Sequence, residues 1–124
     1  MSFTVPREYG INIEGGCEGG CVITYEIKKK EGIALTGTPS RISITESRNE
    51  SNSIEEVVKN NLNKFENPDE ITFKGVKTLK YTDQGLFGVS TDYFLIKDGF
   101  SYHIQCLDEE EDELVKAVLK SIKL

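Results

Sequence analysis

Asp98-Gly99 constrains what this chain can fold into more tightly than any other pair of residues. A two-residue connection between β-rich runs favours a type I′ turn, with positive φ at both positions. Asp tolerates that conformation, and Gly has no Cβ to oppose it. The turn therefore joins residues 91–97 to residues 100–107 as an antiparallel hairpin, and it fixes the register. Counting outward, Lys97 opposes Phe100, Leu95 opposes Tyr102, Tyr93 opposes Ile104 and Thr91 opposes Cys106, all on one face. Ile96 with Ser101, Phe94 with His103 and Asp92 with Gln105 fall on the other. The first set is mostly apolar and is expected to face the core, against a helix carrying Val118 and Leu119. The second is mixed, as suits a face covered only in part.

Other segments carry one of two periods. Phe3–Val5 reads as a short β-like piece ending at Pro6. Ile11 and Ile13 alternate with polar residues, and so do Cys21, Ile23, Tyr25 and Ile27. Ile33 and Leu35 suggest a further strand before a turn at Gly37-Thr38-Pro39, and Ile42 and Ile44 mark another. A helix then opens at Ser53, which forms a capping box with Glu56. Its apolar face is Ile54, Val57, Val58, Leu62 and Phe65, and Asn67-Pro68-Asp69 ends it. Ile71 and Phe73, then Leu79 and Tyr81, suggest one or two strands broken or bulged near Gly75. A last helix, starting near Asp108, lines up Leu114, Val115, Val118, Leu119 and Ile122. This order of elements is that of an α+β protein, a mostly antiparallel sheet packed with two main helices.

The 124 residues suit a single domain, residues 1–124. Hydrophobic content of 37% beside 29% charged residues is ordinary for a soluble globular protein. A formal net charge of −6 argues against a general nucleic-acid binder, which carries a basic stripe for phosphate. The dense basic run Lys28, Lys29, Lys30 is flanked by Glu26 and Glu31 and reads as a solvated strand end. No stretch has the length of a transmembrane helix, and MSFTVPREYG lacks the basic start and apolar block of a signal peptide. Three cysteines do not make a disulfide framework. A cytoplasmic, reducing setting is expected, without a membrane, in which the Asn49-Glu50-Ser51 sequon has no meaning.

Several segments together resemble the PsbP-like superfamily, whose fold also serves a Ran guanine-nucleotide release factor. They are the early FTVP with Tyr9-Gly10, the helix SIEEVVKNNLNKF, the hairpin YFLIKDGFSYHIQC and the terminal LKSIKL. The resemblance covers nearly the whole chain and implies an antiparallel sheet sandwiched by helices, an α/β/α arrangement. It implies little about activity, because the superfamily spans photosystem accessory proteins and a GTPase partner.

Candidate sites are few. In Gly15-Gly16-Cys17-Glu18-Gly19-Gly20-Cys21 the glycines permit an anion cradle, but no helix N-terminus follows, and Glu14 and Glu18 add negative charge; a hairpin loop is the better reading. Cys17, Cys21, His103 and Cys106 have the composition of a Cys₃His zinc site. His103 and Cys106, however, are three apart on a strand and point to opposite faces. Cys21 and Cys106 read as small hydrophobes on apolar faces, whereas Cys17 sits in a loop. His103 has Asp92 diagonally across as a conceivable orienting partner, although a surface histidine in a β-ladder is the simpler reading. The run Asp108–Glu113 lacks the spacing of a calcium loop and reads as a solvated face with a favourable helix start. No catalytic set, cofactor or metal is expected. The binding candidates are Cys17, Glu18, Cys21, Asp92 and His103. The expected function is a non-enzymatic accessory domain with a protein partner. The alternative is a small-molecule or metal binder using the Gly15–Cys21 loop, which bound metal or a deep polar pocket would favour.

Overall fold

The computed structural model describes residues 1–16, 22–31, 34–35, 41–48, 53–59, 67–85 and 88–124. The chain runs β1 (Tyr9–Gly16), β2 (Val22–Glu31), β3 (Ala34–Leu35), β4 (Ile42–Arg48), α1 (Ile54–Lys59), β5 (Asp69–Phe73), β6 (Val76–Gly85), β7 (Gly88–Lys97), β8 (Phe100–Leu107) and α2 (Glu113–Ser121). Seven strands form one antiparallel sheet in the order β1-β2-β4-β8-β7-β6-β5, and the two-residue β3 pairs with β2. The fold is α+β, a mostly antiparallel sheet with two short helices.

The Asp98-Gly99 hairpin is the centre of the sheet, and every pair expected from the turn is present, from Lys97↔Phe100 to Thr91↔Cys106. Both turn residues have positive φ, 52° and 81°. The face carrying Tyr93, Leu95, Tyr102, Ile104 and Cys106 meets Val115, Val118 and Leu119 of α2, with Ile27, Ile42 and Ile44 from the neighbouring strands. Burying each of these aliphatic side chains contributes roughly 1.5–3 kcal/mol. On the opposite face Phe94, Leu79 and Tyr81 form a smaller cluster with Ile54, Val57 and Val58 of α1.

Several expectations are corrected. Phe3–Val5 is not a strand; Ser2 instead bridges Lys123, and the Thr4 N–H donates to the Ser121 hydroxyl, so side-chain and backbone groups of the C-terminal segment hold this piece. The break near Gly75 is a second two-residue hairpin, with Lys74 and Gly75 at φ 52° and 80° and Phe73 paired to Val76. The last helix begins at Glu113, not near Asp108. Asp108 has φ 51°, and the Glu111 and Asp112 N–H groups both donate back to its carbonyl, closing a turn that cannot yet be helix. Asp112 is the N-cap, accepting from the N–H groups of Leu114 and Val115. Of α1, residues Ile54–Lys59 are described, with Ser53 accepting from the Glu56 N–H at 3.4 Å. Leu62 and Phe65 of its expected apolar face, Ile33, and the Gly37-Thr38-Pro39 turn lie outside the described residues.

Candidate functional site

Cys17, Glu18 and Cys21 lie outside the described residues, so the glycine-cysteine loop contributes only its flanks. One flank, Gly15, has φ 107°, and a Cβ there would meet the Val22 carbonyl oxygen at 2.0 Å, which makes glycine obligatory where β1 turns towards β2.

Asp92 and His103 are brought together. Strand alternation puts both on the α1 side of the β7–β8 pair, one step apart on the diagonal, and His103 Nε2 lies 2.7 Å from Asp92 Oδ1. Asp92 is buried, and the imidazole stacks on Phe94 with ring centroids 4.3 Å apart. Phe94 in turn meets Tyr81 edge-on, and Tyr81 is the β6 neighbour of Asp92. The reading of His103 as a plain surface histidine is therefore corrected: a stacked ring bonded to a buried carboxylate is a fixed ring. Such a pair can orient an imidazole and hold one of its protons. On the other side of His103 stands Thr45 of β4, whose hydroxyl is shared with that of Thr24 at 3.2 Å.

His103 and Cys106 lie on opposite faces of β8, as their spacing requires, so they do not share an ion. Cys106 is fully buried among apolar side chains. Burial first, then the charges of Glu109 and Asp92, push its thiol far above the ordinary cysteine range, which leaves it un-ionised. Among the described residues no three acidic, histidine or cysteine side chains are grouped to hold a metal ion. No helix among them is long and apolar enough to cross a membrane.

The acidic run does more than solvate a helix start. Arg41 binds the cap residue Asp112 at 2.8 Å and Asp108 at 3.5 Å. Burial opposes the charge on Asp112, but the Arg41 hydrogen bond and the Val115 and Leu114 amides overcome it and hold the carboxyl below its ordinary value. Asp108 also accepts from the Val89 N–H at 3.2 Å, and a Cβ on Gly88 would strike its carboxylate at 2.3 Å. The turn is thereby clamped to the start of β7. Glu109 accepts from the buried Tyr93 hydroxyl.

The outer edge of β1 is a further feature of the sheet, absent from the expected sites. This strand ends the sheet, and among the described residues no strand pairs with its far side. The Lys30 N–H donates to the Glu8 carbonyl, so even-numbered residues of this stretch turn their backbone groups towards β2. Ile11, Ile13 and Gly15 consequently turn theirs outward. Ile11 and Ile13 are 38% and 61% exposed, side by side on the α2 face of the sheet. The signal was legible as Gly10-Ile11-Asn12-Ile13-Glu14, an alternating run without the Pro or Lys that commonly blunts an edge.

No protein-family model matches this chain, and no curated protein or solved structure matches it.

Proposed function

We propose that this chain is a non-enzymatic accessory domain that takes an extended segment of a partner protein along the outer edge of β1. The observation that carries this reading is the outer edge of β1, which no strand among the described residues pairs and where Ile11 and Ile13 are exposed with their backbone donors and acceptors facing outward. An added strand satisfies those groups and covers both side chains, the mode in which main-chain bonds give affinity and alternate side chains give selectivity. The occupant carries apolar residues opposite Ile11 and Ile13, and a neutral or basic residue beside Glu14. We also assign the domain to the α/β/α sandwiches of the PsbP-like kind, supported by the packing of α1 and α2 against opposite faces of the sheet.

Photo-crosslinking from position 11 in the protein's native cells tests the binding reading. Ile13→Pro removes an outward N–H and leaves the β1–β2 ladder its bonds, whereas Asn12→Pro removes one that faces β2 and destabilises the fold. A discrete adduct that disappears in Ile13→Pro is the expected result. Adducts indifferent to that substitution, or none above an unmodified control, overturn the reading.

A further inference from the structure

A cleft of about 410 Å³ opens at the far end of the sheet from β1, between the β6–β7 surface and the turn of residues 108–111. Its sheet wall carries Lys80, Thr82 and Thr91, and its other wall carries Glu109, Glu110 and Glu111. The sheet wall adds a buried polar group, Thr91, to the acidic wall. Thr91 is 4% exposed and lines the cleft, and its hydroxyl has no hydrogen-bond partner among the described residues. A buried hydroxyl is expensive to leave unsatisfied, and the cleft is where a partner can reach this one.

The charges point to what that group is. Lys80 Nζ lies 5.7 Å from the centre of the Tyr93 ring, and no carboxylate of the described residues comes within ion-pair distance of it, although Asp69 is its neighbour on β5. Tyr93 donates its hydroxyl to Glu109 and so ties the cationic wall to the acidic one, while the Asp108–Val89 hydrogen bonds hold the turn in place. Positive and negative groups thus line one cleft, whose backbone frame is held by these contacts. We propose that this cleft binds a free α-amino acid, its carboxylate on Lys80 and the Thr91 hydroxyl and its ammonium on Glu110 and Glu111. Carboxylates outnumber the single lysine, so an amino acid with a basic side chain binds best and an acidic one is rejected. The site does not involve the β1 edge and stands whatever partner that edge takes.

Titration of the intact, isotopically labelled chain with lysine, alanine, glutamate and cadaverine, followed by amide NMR, tests it. Lysine is expected to produce saturable shifts at Val89, Thr91 and residues 109–111, alanine weaker ones, and glutamate none. Cadaverine keeps both amines and lacks the carboxylate, so it binds less well than lysine. Lys80→Met and the isosteric Thr91→Val each weaken lysine by about tenfold or more, the scale of a lost hydrogen bond to a charged group. The amide spectrum of each variant reports that the fold is retained. Absence of saturable shifts at these amides in the millimolar range overturns the proposal. So does cadaverine binding as tightly as lysine and indifferent to Lys80→Met, which would reduce the cleft to an acidic patch that collects cations.

Discussion

Asp92 and His103 face Gln105 and Phe94 across the β7–β8 ladder, yet their side chains meet on the diagonal, His103 Nε2 at 2.7 Å from Asp92 Oδ1. Diagonal neighbours are within reach of long and aromatic side chains, and stacking on Phe94 swings the imidazole towards the carboxylate. Asp92→Ala is expected to destabilise the protein by about 1–3 kcal/mol, because it takes a partner from a ring held in place by its stack. A double-mutant cycle with His103→Ala isolates the pair, with a coupling of about 0.5–3 kcal/mol from denaturant unfolding. Additive losses would show that the contact contributes nothing of its own.

Leu95, paired with Tyr102 across the β7–β8 ladder, is fully buried in the cluster that includes Val115, Val118 and Leu119 of α2. Leu95→Ala leaves a cavity that close-packed neighbours fill only in part, at a cost of about 2–5 kcal/mol. A loss below about 0.5 kcal/mol, typical of surface positions, would mean that the sheet presents its other face to α2.

The centre of this fold was legible because Asp98-Gly99 is short enough to dictate register residue by residue; the diagonal placement of Asp92 and His103 followed from that count. The Lys74-Gly75 turn has the same geometry but was read as a break, because lysine carries no preference for positive φ. The start of α2 was misplaced for a related reason. Acidic residues favour both a helix N-terminus and the turn before it, and the choice was made by tertiary contacts, Arg41 with Asp112 and Asp108 with Val89. Period alone could not reveal the cleft either, since Lys80, Thr91 and Glu110 come from three separate segments.

Asp112 caps α2 and is the nearest partner of Arg41. Asp112→Ala is expected to cost about 1 kcal/mol, within the range of about 0.5–2 for losing an N-cap. The pH dependence has a definite sign. The folded carboxyl sits below its ordinary value, so its contribution is present above the unfolded value of about 3.9 and fades as pH falls through the folded one. Stability measured on the acid side therefore falls less steeply in Asp112→Ala than in the parent chain. Identical acid limbs would remove the cap from any role in acid unfolding.

Tyr93 and Cys106 carry the largest shifts on the alkaline side, beside Tyr81 and Tyr102, whose phenols burial also raises. Burial, then the hydrogen bond and charge of Glu109, push the Tyr93 phenol far above its ordinary value, and burial does the same for the Cys106 thiol. Both groups are raised in the folded state, so the stability they contribute is complete below their unfolded values, about 10 for tyrosine and about 8.5 for cysteine, and is lost as pH rises beyond them. Denaturant midpoints should therefore decline from about pH 8.5 upward, where an unfolded cysteine begins to ionise. The decline should be shallower in Tyr93→Phe above about pH 10. The same burial makes Cys106 inert. In a chain carrying Cys17→Ser and Cys21→Ser, a thiol reagent should react only through the globally unfolded population and not at the rate of a free thiolate, so added denaturant accelerates labelling in step with the unfolded fraction. Fast labelling of that chain under native conditions would mean that the sheet opens around Cys106 without unfolding, and the packing of β8 against α2 would have to be weaker than its buried contacts imply.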